Sequence, residues 1–290
     1  MSQALSMDLL AFLSQPAGFD IGETGGWLFQ ASEPLWQAFL VGLSNTLRVS
    51  LPALLLALIL GAALGLGRLS AAPVPRRLAS LYVDTFRNVP LLVQLLMWYF
   101  LLVEWLPDPT EALPLLPGLW LSKGGLSFPW WDAAQGQWSI PVQEAFNVQG
   151  GAAVTPEFLA VALALSTYTA AFMAEIVRAA VLSVPASLLE AAETLGATRV
   201  QVRWRVLLPQ AWRSAMPPMS NQVLNLIKNS SLAVAVGYPD LVSVGNTALN
   251  QTGQVMVCIG LMMGTYLLLS LLVSLVMNLL ARQSRLALSA

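Results

Sequence analysis

The chain contains no histidine in 290 residues, a single cysteine (Cys258), and only 14 basic and 15 acidic side chains. Each scarcity excludes a class of chemistry. Without histidine and with one thiol, the chain cannot assemble a His/Cys metal cluster, a disulfide or a histidine acid–base pair. No GxxxxGK[ST] run occurs. The phosphate-cradling turn of a P-loop ATPase is therefore missing, and the chain is expected neither to bind nor to hydrolyse ATP in that manner. No Lys or Arg precedes Arg48, and the apolar run 9–13 is short, so the N-terminal segment does not read as a secretory leader. No cofactor and no metal is expected within this chain.

What is present is apolar: 57% of the residues are hydrophobic, 10% are charged, and the mean hydropathy is +0.68. That composition specifies a membrane protein. A hydrocarbon core about 30 Å thick needs roughly 20 apolar helical residues. Five stretches are read as spans, 41–66, 89–105, 158–177, 216–236 and 255–280, giving an all-α, polytopic helical bundle. The second is short, and Pro90 at its start predicts a kink or an approach helix from about Leu78. The fifth has few polar residues beyond Tyr266, Ser270, Ser274 and Asn278, so it is expected to face lipid or a sister subunit.

Basic residues set the orientation, because Lys and Arg are retained on the cytoplasmic side. With the N-terminus outside, Arg68, Arg76, Arg77, Arg87, Arg178, Arg199, Arg203, Arg205, Arg213, Arg282 and Arg285 fall inside, and only Lys123 falls in an outer loop. Residues 1–38 then form an extracytoplasmic lead-in made acidic by Asp8, Asp20, Glu23 and Glu33, expected to be loosely ordered or interfacial. Residues 39–282 form the transmembrane domain, with an outer loop at 107–153 and a cytoplasmic loop at 181–212, and 283–290 form a cytoplasmic tail. Arg48 is expected to snorkel at the outer end of the first span. In the outer loop, Trp120, Trp130, Trp131 and Trp138 cluster; they suit either anchoring in the headgroup layer or a lip that touches a substrate-delivering protein.

The most informative stretch is 190–209, EAAETLGATRVQVRWRVLLP, a polar, arginine-bearing island between two spans. Ser187 and Glu190 have capping-box spacing, which predicts a short helix starting at Ser187. Gly196 suits a left-handed stop, and Thr198 can cap a second helix carrying Arg199, Arg203 and Trp204 up to Pro209. Two short helices joined at a glycine would make a compact knob. The spacing Glu190-Ala191-Ala192, Gly196, Leu208-Pro209 resembles the signature cytoplasmic loop of permease subunits in binding-protein-dependent ABC importers. That resemblance implies that the loop docks on an ATP-binding cassette dimer, with ATP and Mg held by those partners. Closure of the ATPases would then move the permease helices as near-rigid bodies.

Further runs, GLSNTLRV from Gly42, DTFRNVPLLVQL from Asp84, YTAAFMAEIVR from Tyr168 and LIKNSSL from Leu226, are similar to the polar amino-acid permease family. The run from Lys228 to Gly253 is similar to the general L-amino-acid permeases. The resemblance implies an importer of L-amino acids, polar or broad in range, in a bacterial inner membrane. It implies an extracytoplasmic binding protein and a second permease subunit, a heterodimer being favoured over a homodimer.

A zwitterion inside a membrane needs a cation near its carboxylate and acceptors near its ammonium. Lys228 is the candidate cation, 15 residues beyond Arg213 and so about 22 Å farther along a continuous helix. Asn221, Asn225, Lys228 and Asn229 share one helical face, with Ser230 and Ser231 alongside. This stripe lines a substrate cavity or, alternatively, bonds neighbouring helices while Lys228 snorkels. Tyr168, Asn88 and Gln94 are further candidates for the path, whereas Glu175 and Arg178 read as an i,i+3 pair. The competing class is a secondary carrier or channel. It would need an ionisable relay deep in the membrane, where Lys228 stands almost alone, and five spans do not divide into equal inverted repeats. A polytopic enzyme would need a catalytic constellation, and the sequence offers none.

Overall fold

The computed structural model describes residues 9–132 and 136–286, with side chains through Ala281. Asp8 of the acidic lead-in, residues 287–290 of the assigned tail, and the side chains of Arg282 and Arg285 lie outside the described residues.

Helix α1, Leu35–Arg68, is a Leu- and Ala-rich rod that carries Pro52 within it. The next two helices, α2 (Pro73–Asn88) and α3 (Leu91–Trp105), meet at a bend of 107°. The residue before a proline is driven out of the helical region, and Val89, before Pro90, has φ −96° and ψ 129°. The kink expected at Pro90 is thus a break. After the outer loop come α4 (Pro156–Leu182), the short α5 (Ala186–Thr194), a helical turn Arg199–Gln201, a π-helical segment Val202–Leu207 and α6 (Leu208–Asn229). A 3₁₀ segment Ser230–Val236, then α7 (Leu241–Thr252) and α8 (Val255–Leu286), complete the order.

Among the described residues, three helices, α1, α4 and α8, are long and apolar enough to cross a membrane, and α2 with α3 makes a fourth if the bent pair is one span. The predicted span 216–236 is divided between α6 and the 3₁₀ segment, and polar residues dilute the hydropathy of α6. The fold is mostly helical rather than all-helical. The outer loop, for which the all-α expectation allowed no strands, carries β1 (Leu113–Leu116), β2 (Leu119–Ser122), β3 (Gly125–Phe128), β4 (Trp130–Asp132), β5 (Gln137–Ser139), β6 (Val142–Gln143), β7 (Val148–Gln149) and β8 (Ala152–Val154). They form a four-stranded antiparallel sheet in the order β1-β2-β3-β8 and two two-stranded ribbons, β4-β5 and β6-β7.

Two compact units alternate along the chain. The first comprises Met1–Val49, Leu91–Ala164 and Ser230–Cys258. Its centre is polar: the buried Asn45 side chain donates to Glu23 O at 2.7 Å and Pro239 O at 3.0 Å. Buried Tyr238 donates its hydroxyl to Asn45 O at 3.1 Å, and Thr46 Oγ1 accepts from Leu241 N at 3.1 Å. Gly42 permits this approach, since a Cβ there would lie 3.1 Å from Leu241 Cα. The lead-in from residue 9 is ordered, which corrects the expectation of loose order. Phe12 is 2% exposed, Ala17 N donates to Glu33 O at 2.8 Å, and Gly18 N donates to Ala31 O at 2.9 Å. Arg48 does not snorkel freely, because Glu23 holds it at 3.4 Å and Asn45 Oδ1 accepts from it at 3.2 Å.

The second unit comprises Ser50–Pro90, Leu165–Asn229 and Ile259–Ala290. Here α1 and α4 touch backbone to backbone. A Cβ on Gly61 would meet Met173 Cβ at 2.7 Å, and one on Gly65 would meet Ala174 O at 2.7 Å. This is the small-residue packing that lets membrane helices close up. Beside it, Glu175 accepts from Arg68 at 2.7 Å and from Arg178 at 2.6 Å, so the expected Glu175–Arg178 pair is a triad. Asp84 adds a longer contact to Arg68 at 3.7 Å.

Candidate functional site

The knob at 186–207 is built as the sequence suggests, with two exceptions. Helix α5 begins at Ala186 with Pro185 as its N-cap and no side-chain cap bond; Ser187 is already inside the helix, so the Ser187/Glu190 capping box is not made. Proline supplies the extended entry instead, at φ −60° and ψ 132°. The helix stops at Gly196, whose φ of +89° is the left-handed geometry glycine tolerates. Ala197 N reaches back to Ala192 O at 3.1 Å. Thr198 then forms a capping box of its own: its hydroxyl accepts from Gln201 N at 3.3 Å, and Gln201 Oε1 accepts from Thr198 N at 2.8 Å.

The second helix of the knob does not end at Pro209. The chain widens into the π-helical segment Val202–Leu207 and continues through Pro209 into α6. Proline has no N–H for the preceding turn and its ring crowds the carbonyl four residues back; a widened turn before it accommodates both defects.

The surface of this knob is unusually apolar for a turn. Leu195 is 90% exposed, Trp204 69% and Val200 64%. Glu190 and Ala191 are exposed beside them, Ala192 and Pro209 are half-buried, and Leu208 is at the margin of exposure. Below the knob, Trp204, Leu208, Pro209 and Trp212 wall an apolar hollow of about 460 Å³ with Leu66 and Val177.

The substrate candidates fall into separate groups. Asn221, Asn225 and Lys228 are exposed on one face of α6 and Asn229, its last residue, is half-buried. Arg213 and Lys228 do lie on one uninterrupted helix. Ser230 is buried and Ser231 half-buried in the 3₁₀ segment, so these serines do not extend the α-helical stripe. Gln94 is 2% exposed on α3, within the first unit. Tyr168 packs on Phe172 with ring centres 4.9 Å apart. Asn88 is an exposed end-of-helix residue whose amide donates to Asp84 O at 2.7 Å. Sequence reasoning missed two contributors: Ser274 and Asn278 of α8 join Arg213, Ser220 and Asn221 of α6 around a cavity of about 330 Å³. The i,i+4 spacing of Ser274 and Asn278 was the available signal.

Comparison with known proteins bears on this arrangement. The family model described as "Binding-protein-dependent transport system inner membrane component" matches residues 53–286. The putative amino-acid ABC transporter permease protein YhdX of Escherichia coli is 36% identical, over 94% of this chain and 84% of its own length. The general L-amino acid transport system permease protein AapQ of Rhizobium johnstonii is 37% identical, over 92% and 81%. The glutamate/aspartate import permease protein GltJ of E. coli is 32% identical, over 87% of each chain. Among solved structures, an amino acid ABC transporter crystallised with histidines superposes with a TM-score of 0.62 at 23% identity, covering 85% of this chain and 94% of that one. The methionine transporter MetNI, in an inward-facing form, gives 0.58 at 20% identity, covering 87% and 99%; both likenesses concern the fold. With the family model spanning most of the sequence, the chain belongs to the inner-membrane components of binding-protein-dependent transport systems, as a membrane permease subunit without an ATPase site of its own.

Proposed function

We propose that this chain is the membrane-spanning subunit of an ATP-driven importer of L-amino acids, and that the α5–Gly196 knob is where the ATPase subunits grip it. The observation that carries the proposal is the bare apolar surface of Leu195, Val200 and Trp204 on a turn fixed by a left-handed glycine and a capping box. Exposed side chains of that size on a rigid turn suit a docking partner. Glu190, Ala191, Ala192, Gly196, Leu208 and Pro209 would form or frame the contact, with ATP and Mg on the partner. Likeness to permeases named for L-amino acids over most of the chain supports the cargo. Lys228, with Asn221, Asn225 and Asn229, would meet the substrate carboxylate from α6. Tyr168, Asn88, Gln94, Ser230 and Ser231 are the remaining path candidates.

In this reading five spans cross an inner membrane with the N-terminus outside, α2–α3 serving as one and α6 with the 3₁₀ segment as another. A binding protein delivers substrate from outside, and a second, non-identical permease subunit completes the path. The test is reconstitution with ATPase subunits and binding protein. Glu190→Lys should abolish substrate-stimulated ATP hydrolysis and ATP-driven amino-acid uptake while the permease remains folded. Uptake at the wild-type rate, or uptake by the permease alone under an ion gradient, would refute ATPase docking and favour a secondary carrier.

A further inference from the structure

Among the arginines, Arg213 stands apart. Arg48, Arg68 and Arg178 are paired with carboxylates, and Arg199, Arg203 and Arg205 are exposed to solvent. Arg213 is half-buried at the start of α6, its Nε is shielded and has no hydrogen-bond partner, and no carboxylate reaches it among the described residues. It opens on the cavity of about 330 Å³ between α6 and α8. The side chains of Asn221, Ser274 and Asn278 also face this cavity without a hydrogen bond among the described residues, and Ser220 bonds only Met216 O, at 2.9 Å. Arg213 Nε and the side chains of Asn221, Ser274 and Asn278 thus converge with no hydrogen-bond partner among the described residues, and Ser220 keeps its oxygen as a further polar group on the cavity.

We infer that this cavity binds the phosphodiester headgroup of an anionic lipid. A shielded guanidinium without a carboxylate is costly unless an anion meets it, and the planar fork of arginine matches two phosphate oxygens. The amides of Asn221 and Asn278 and the hydroxyls of Ser220 and Ser274 can donate to the remaining oxygens. Among the described residues the site carries one positive charge, which suits a singly charged phosphodiester. Its position also suits a lipid: Arg213 is at the end of α6 next to the arginine-bearing knob, the end that basic residues place at the inner leaflet, where anionic headgroups occupy basic pockets between helices. Beyond the cavity, Leu272, Leu275, Val276 and Leu279 of α8 are 51–61% exposed, offering a surface for acyl chains. Arg213 is about 22 Å along α6 from Lys228, so the two cations serve opposite ends of the helix, with Asn221 between them common to both sets of residues. The lipid source rests on the proposed orientation; the anion site does not.

Native mass spectrometry of the purified complex, after delipidation and re-addition of either phosphatidylglycerol or phosphatidylcholine, tests the proposal. Wild type should retain one phosphatidylglycerol per copy of this chain with at least about tenfold preference over phosphatidylcholine, and Arg213→Gln should lose that preference, as expected for removal of a charge-assisted bond. Asn278→Leu, which keeps the charge but replaces an amide donor with an apolar side chain, should weaken it too; Arg203→Gln should not. Size-exclusion profiles confirm that each variant assembles. Equal retention by Arg213→Gln and wild type would overturn the site. Displacement of the lipid by millimolar inorganic phosphate with unchanged affinity for either lipid would overturn the lipid source. Labelling of Val200→Cys in a Cys258→Ala background by an impermeant reagent reads the orientation independently, so a failure there is distinguishable from a failure of the anion site.

Discussion

Two residues illustrate how local geometry constrains the chain. At Gly196 the open space around the missing Cβ shows that crowding is not the constraint; the backbone is, at φ +89°. A side chain in that region costs about 1–2 kcal/mol. Gly196→Val should therefore leave the helices intact by circular dichroism but fray 186–198 in hydrogen exchange, and it should lower ATPase stimulation several-fold. Glu23 is constrained by solvation. Burial raises its carboxyl above the ordinary value of 4.5, although Thr155 and Arg48 pull the other way. A carboxyl whose folded value is raised contributes stability fully present below its unfolded value and lost as pH rises through the folded one. The hydrogen-exchange protection factors of residues 9–34, with the intrinsic base-catalysed rate divided out, should accordingly be highest at acid pH and fall above the ordinary carboxylate range. Glu23→Gln should flatten that dependence; an unchanged profile would show that another group is responsible.

At the scale of elements, the α1–α4 contact is the least forgiving. Gly61 and Gly65 meet Met173 and Ala174 at distances no Cβ can occupy, and forcing extra methylenes into such a seam costs about 1–3 kcal/mol. Gly65→Leu should lower the midpoint of thermal unfolding in detergent and reduce yield, whereas Gly260→Leu, where nothing lies within 4 Å, should do neither. How far elements could be read from sequence depended on which force decides them. Long apolar runs at α1, α4 and α8 were legible because length and hydropathy alone specify a membrane helix. Pro90 was legible because its steric effect is local, and so were Gly196 and Thr198. The Ser187 cap was misread because Pro185 competes for the same entry. The outer strands were hidden because segments of two to four residues carry no usable periodicity; the glycines between them, Gly118, Gly136, Gly150 and Gly151, all at positive φ, were the hint at hairpins. Asn45 and Thr46 were visible as part of a familiar run, but their bonds to Pro239 and Leu241 span about two hundred residues, beyond any local reading.

For the whole molecule, α8 is the informative helix: only 6% of its apolar window is buried within the chain. A helix so bare needs lipid or another subunit along its length. Copurification from the native membrane with stoichiometric analysis should return a second, different permease chain at one to one; recovery of this chain alone as a symmetric pair would refute the heterodimer. In that assembled complex, Lys228→Ala should weaken amino-acid uptake by about tenfold or more, as loss of a charge-assisted contact implies, without altering assembly or basal ATP hydrolysis. Unchanged uptake kinetics would assign Lys228 to helix packing instead. Cargo identity was the part of function least visible in the residues themselves, because asparagines and a lysine on one helix face would suit any small zwitterion alike.

The π-helical segment ahead of Pro209 amounts to one residue of slack wound into the shaft that links knob to membrane. Each α-helical residue advances the azimuth by about 100°, and the wide turn absorbs that step for everything downstream on α6. Trimming a single residue from Val202–Leu207 would close the wide turn to an ordinary α-turn and leave Arg213 and Lys228 on nearly their present bearing, whereas trimming one from the α-helical stretch between them would swing Lys228 by about 100° relative to Arg213.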